Sequence, residues 1–113
     1  MGLIYKILTR SEWRAAQQAG QFAGSAVDLT DGYIHFSTAA QAAETARKHF
    51  SGRADLVVLT LEADALGEHL KWEPSRGGDL FPHLYVPLEL DRVIAVSEAP
   101  LGDDNVPRLG ALR

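Results

Sequence analysis

Leu56-Val-Val-Leu-Thr-Leu61 is apolar at every position but Thr60. A strand wet on one side alternates apolar with polar, so this run predicts a central strand covered on both faces. Two covering layers are therefore needed, and the flanking sequence has to supply them. On its N-terminal side, Ala39, Ala43, Ala46 and Phe50 recur at helical spacing with a Glu44→Lys48 pair outward. Arg47, Lys48 and His49 suit the last turn of that helix, and Gly52 is its expected stop. Ser37 or Thr38 caps its start. Before it, Tyr33-Ile-His-Phe-Ser37 is a short strand that follows an Asp31-Gly32 turn. Its period of two places Tyr33, His35 and Ser37 on one face and Ile34 and Phe36 on the other.

Further toward the N-terminus, residues 21–32 show no clear period. Thr9-Arg-Ser-Glu12 reads as a capping box opening a helix from about Arg10 to Ala19, with Trp13 and Ala16 inward and Gly20 as stop. Leu3 to Leu8 alternates as a first strand. Beyond the central strand, Leu70–Glu73, His83–Val86 and Arg92–Ser97 are strand candidates, and the tail from about Pro100 is irregular. The order β-α-β-α-β-β-β-β predicts a single α+β domain over 1–113 with small mixed or antiparallel sheets and two helices in the N-terminal half.

Composition narrows the classes of function. The chain has 113 residues, is 46% apolar and carries a net charge of −4, so no global positive field exists to hold duplex nucleic acid or an anionic membrane. It contains no cysteine, which excludes disulfides, thiol nucleophiles and cysteine-ligated metals. No signal peptide is legible, and the longest apolar run falls far short of the ~18 residues of a membrane helix. The expected location is the cytoplasm. His35, His49, His69 and His83 lack metal-ligand spacing; His49 and His69 are assigned to the surface, and no metal site is expected.

Two stretches carry chemistry. In Tyr33-x-His35-x-Ser37-Thr38, a strand end feeds a helix start, so amides, hydroxyls and an imidazole converge as a phosphate or ribose would require. In Lys71-Trp-Glu-Pro-Ser-Arg-Gly-Gly-Asp-Leu-Phe-Pro-His-Leu-Tyr85, the residues Trp72, Glu73, Arg76, His83 and Tyr85 surround a Gly77-Gly78 hinge. If the His35 and His83 strands are neighbours, their polar and aromatic groups line one cleft. The bland alternatives are a cap at Ser37 or Thr38, a hydrogen-bonded core histidine at 35, and a rigid turn with Trp72 and Tyr85 as core anchors and Glu73 paired to Arg76 at the surface.

The Ile4-Tyr-Lys6 start, Trp13, Asp31-Gly-Tyr-Ile-His-Phe-Ser-Thr38, Trp72-Glu73, Gly77-Gly78 and Phe81-Pro-His-Leu-Tyr85 resemble, in this order, domain-of-unknown-function family 952, from Leu3 to about Val96. That family is remotely similar in fold to the ADP-ribosyltransferase and RNA 2′-phosphotransferase superfamily, whose members bind NAD or an ADP-ribosylated intermediate between two small sheets. The resemblance implies an ADP-ribosyltransferase-like fold, with NAD as the nucleotide. His35 would hold a ribose, Tyr85 or Tyr33 would stack on nicotinamide, and Arg76 or the second helix start would meet the pyrophosphate. His83 joins His35 and Tyr85 as a catalytic candidate. The glutamate that steadies the ribosyl cation would be Glu73, Glu89 or Glu98, none of which sits in a recognisable terminal motif. The expected function is thus NAD-dependent ribosyl transfer or N-glycosidic cleavage. Its alternatives are a non-catalytic module for ADP-ribose or a phosphorylated metabolite, and an interaction domain anchored by Trp72, Phe81 and Tyr85.

Overall fold

A computed structural model describes residues 2–110 and 112, without the Arg76 side chain. The central strand is where the sequence puts it. β5 (Leu56–Glu62) lies between β1 (Leu3–Thr9) and β9 (Val93–Ala99), and β4 (Ser37–Thr38) completes an antiparallel sheet of order β4-β1-β5-β9. Leu56, Val57, Val58 and Leu59 are all buried, because each face of β5 has its own cover. One face carries Leu56 and Val58 with Tyr5 and Ile7, and packs on α3 (Ala39–His49) through Ala46. The other carries Val57, Leu59 and Leu61 with Ile4 and Leu8, and packs on a second, smaller sheet.

The smaller sheet has the order β3-β7-β6, from β3 (Ile34–His35), β7 (Leu80–Leu84) and β6 (Leu70–Pro74), and is antiparallel throughout. Ile34 and Leu84 turn inward to the main sheet, so strand alternation turns His35 and His83 away from it. The β6–β7 turn runs through Gly77 (φ 69°) and Gly78 (φ 85°), conformations a side chain would strain. β2 (Gln21–Phe22) and β8 (Leu88–Glu89) pair as a third, two-stranded piece. β9 is an edge strand, and the extra residue at Ile94 bulges it, which twists the free edge away from pairing. Among the described residues the fold is a mixed α+β one with antiparallel sheets and its α-helices in the N-terminal half.

Several boundaries differ from the sequence reading. α1 (Arg10–Ala19) starts on the expected capping box: Thr9 Oγ1 accepts from the Glu12 amide at 3.1 Å, and Glu12 Oε1 accepts from the Thr9 amide at 2.8 Å. A further helix, α2 (Ala26–Asp31), fills the stretch that showed no period, so among the described residues there are three α-helices rather than two. At six residues it is too short to display a helical repeat. Ala46 is buried and Ala39 and Phe50 pack partly buried against the same cluster as expected, but the fully buried neighbour is Ala42, while Ala43 is exposed. The helix ends at His49 with Phe50 as its cap, two residues before the expected stop at Gly52.

The expected strand Tyr33–Ser37 is broken into β3 and β4, which join different sheets. Pro82 explains the break. Phe36 lies opposite Pro82 and donates its amide to the Pro82 carbonyl at 3.0 Å, but proline has no N–H to return. The ladder to β7 ends there, and the chain crosses to β1. His83–Val86 shifts to Leu80–Leu84 for β7, leaving Tyr85 and Val86 outside the strand. Among the described residues no helix is long and apolar enough to cross a membrane.

Candidate functional site

His35 and His83 are directly opposed across β3 and β7, with ring centroids 5.4 Å apart in an edge-on arrangement. Tyr33 stacks on His83 at 4.1 Å and lies 4.7 Å from His35 and 5.2 Å from Tyr85. Four aromatic rings thus meet on the outward face of the small sheet. Glu73 joins them from β6, where its Oε1 accepts from His83 Nδ1 at 2.8 Å and from the Tyr85 hydroxyl at 2.7 Å. Glu73 is partly exposed. His83 is only 3% exposed under Tyr33, and its Nδ1 is bonded to Glu73. His35 and Tyr85 are more open.

The charges follow from these contacts. The Tyr85 hydroxyl, and then His83, hold Glu73 below the ordinary carboxylate range, since a hydrogen bond donated to the ionised form favours it. In return the bond to Glu73 pushes the Tyr85 phenol up to about 12. Tyr33 is also raised, by loss of solvent first and then by the Asp31 and Glu73 charges. Replacing Tyr85 with phenylalanine removes a donor from Glu73 Oε1, so the Glu73 carboxyl titrates at higher pH in the variant. A side-chain 13C titration reads this directly, and an unchanged Glu73 midpoint would contradict the assigned contact.

Behind His35 lies a buried ion pair that the sequence reading missed. Asp28, 2% exposed, accepts from Lys6 Nζ at 2.8 Å and from the Ser25 amide at 2.9 Å through Oδ2. Its Oδ1 accepts from His35 Nδ1 at 2.6 Å and from the His35 amide at 3.2 Å. His35 Nε2 meets Asp31 Oδ2 at 2.9 Å. Gly32, at φ 91°, supplies the left-handed turn that folds β3 back over α2. Burial works upward on Asp28, but the His35 bond and then the Lys6 charge outweigh it and keep the carboxyl well below its usual range. Burial lowers Lys6, against the opposing pull of Asp28. Two signals were available. Lys6 shares strand parity with Ile4 and Leu8, so it had to face inward and needed a buried anion. Ser25-Ala-Val-Asp28 also has the spacing of a helix-start pair.

The remaining candidates lie elsewhere. Ser37 is buried on the main sheet, its hydroxyl 3.0 Å from that of Thr45. Thr38 is the N-cap of α3, and its amide donates to Gln41 Oε1 at 3.1 Å. Trp72 neighbours Glu73 in β6 and therefore faces the opposite side of the sheet, where it and Thr38 border a hollow of about 480 Å³ with Leu3, Ala63 and Asp64. A smaller depression of about 170 Å³ adjoins the histidine cluster, lined by Leu29, Tyr33, Leu84, Tyr85 and Pro87 with Asp28 at its wall. Gly77 and Gly78 form the β6–β7 turn, and the Arg76 side chain falls outside the described residues. Glu89 pairs opposite Gln21 in β8, and Glu98 bridges to Arg10 at 3.2 Å on the main sheet. Of the three glutamates, Glu73 alone accompanies the histidines. His49 and His69 are exposed, as expected.

The family model described as "Protein of unknown function (DUF952)" matches residues 7–96. Two solved structures of protein CC0527 from Caulobacter crescentus resemble the chain. Its crystal structure is 58% identical over 96% of this chain and 95% of that one, with a TM-score of 0.93. Its solution structure is 58% identical over 97% and 95%, with a TM-score of 0.87. No curated protein matches.

Proposed function

The chain belongs to the DUF952 family of proteins of unknown function, and we propose that it binds NAD at the Tyr33–His35–His83–Tyr85 cluster and cleaves the nicotinamide–ribose bond, as an ADP-ribosyltransferase-like or NAD-glycohydrolase-like enzyme. Glu73 carries this reading. It is an ionised carboxylate with one oxygen anchored twice and its side chain partly exposed, set among aromatic rings. Nicotinamide in NAD is a cationic ring, and aromatic faces attract cations. When its bond to ribose breaks, the electron pair leaves with the nicotinamide nitrogen and positive charge develops on the sugar carbon. A fixed anion beside that carbon lowers the barrier. Water then adds to the carbon and releases a proton to solvent, giving ADP-ribose and nicotinamide; transfer replaces water by another nucleophile.

His35, more open than His83, would receive a ribose hydroxyl, and Tyr85 or Tyr33 would flank the nicotinamide. The superfamily likeness noted from the sequence points the same way. Incubating the protein with NAD and following nicotinamide by chromatography tests the proposal. Release above the uncatalysed background is expected. A thermal shift with ADP-ribose but no release would make the cleft a binding module instead, and neither signal would remove the nucleotide reading.

A further inference from the structure

His35 presents both ring nitrogens to carboxylates, Nδ1 to Asp28 at 2.6 Å and Nε2 to Asp31 at 2.9 Å. A carboxylate only accepts, so each contact is a hydrogen bond only while that nitrogen carries a proton. A neutral imidazole has one proton, and the two carboxylates compete for it. They are not equal. Asp28 is sealed from water, sits against the Lys6 ammonium, and also holds the His35 amide, so backbone and ring are fixed to the same oxygen. Asp31 is the last residue of α2 and two-fifths exposed, where water replaces it at little cost.

We infer that Lys6 and Asp28 form a buried clamp that fixes the proton of neutral His35 on Nδ1 and leaves Nε2 as its working nitrogen, a lone pair offered to a ligand hydroxyl. Asp28 is thus a positioning residue that acts through His35, with Lys6 behind it. Around the ring the other facing groups are Tyr33, His83 from β7 and Asp31 from α2. With Nε2 unprotonated, Asp31 meets an acceptor with another acceptor and must give way. The position it leaves is open to a donor such as a sugar hydroxyl. This goes beyond the choice of NAD, because any hydroxyl-bearing ligand of the cluster would meet the same lone pair.

The test is long-range 1H–15N NMR of the imidazoles, at a pH high enough for the ring to be neutral. In the unmodified protein the His35 proton is expected on Nδ1, with Nε2 showing the shift of an unprotonated nitrogen. Asp31→Asn should leave that pattern intact. Asp28→Asn should lose it, moving proton occupancy toward Nε2, as removal of an orienting carboxylate does in other carboxylate–histidine pairs. A proton resident on Nε2 in the unmodified protein overturns the inference, as does its relocation by Asp31→Asn. Should Asp28→Asn not fold, the unmodified protein and Asp31→Asn decide the matter together. The readout needs no turnover, so it is independent of whether nicotinamide is released.

Discussion

Replacing Asp28 with alanine is expected to lower the unfolding free energy by about 3–5 kcal/mol, because it leaves a buried ammonium without its anion. Lys6 is 4% exposed and cannot recover its hydration in place. The same substitution strips the acceptor from the Ser25 amide, the His35 amide and His35 Nδ1. Adding Lys6→Met to Asp28→Ala should recover part of the loss, since the ammonium is gone but those donors remain unpaired. Urea unfolding of the two variants checks this, and a loss under about 1 kcal/mol in the single variant would contradict the ion pair. The pH dependence has a definite sign. Asp28 titrates below its unfolded value, so its contribution is complete above about pH 4 and drains away as pH falls through the folded value. In Asp28→Ala that part of the acid loss should be absent.

The second large effect is on catalysis. Under the proposed reaction, Glu73→Gln should cut nicotinamide release about 10²–10³-fold, the scale on which removing one preorganised charge-stabilising group acts. The amide keeps the shape and an acceptor for Tyr85 but loses the charge that meets the sugar cation. Affinity for ADP-ribose, which carries no such cation, should change little. Stability should also change little, because Glu73 is partly exposed on the outward side of the small sheet. Assays of release and of ADP-ribose binding on the same preparation separate the two effects. Equal loss of both would assign Glu73 to binding, not to the transition state.

The layout of this fold was legible where its periodicity was unambiguous. β5 announces two covering layers by its apolar run, Thr9 and Glu12 announce α1, and the His35 and His83 strands pair as a shared cleft requires. Where one turn of structure decides matters, periodicity has nothing to count. α2 is six residues long and is held by Asp28, whose partners lie 22 residues away at Lys6 and seven away at His35. Ser37 belonged to the His35 face only while the strand was assumed continuous; Pro82, on another strand, breaks it. Trp72 and Glu73 were grouped by closeness in sequence, although consecutive strand residues face opposite ways. The buried clamp escaped because its evidence was a lysine in the wrong parity, a cue that only becomes compelling once the partner layer is known.

The most direct measurement is an NMR titration of the labelled protein with ADP-ribose and with NAD, following side-chain signals of Tyr33, His35, His83 and Tyr85. Saturable shifts concentrated on those four rings are expected, with the Trp72 indole across the sheet little changed. Shifts confined to Trp72 and its hollow, or none at any of these rings, would contradict a ligand site at the histidine pair.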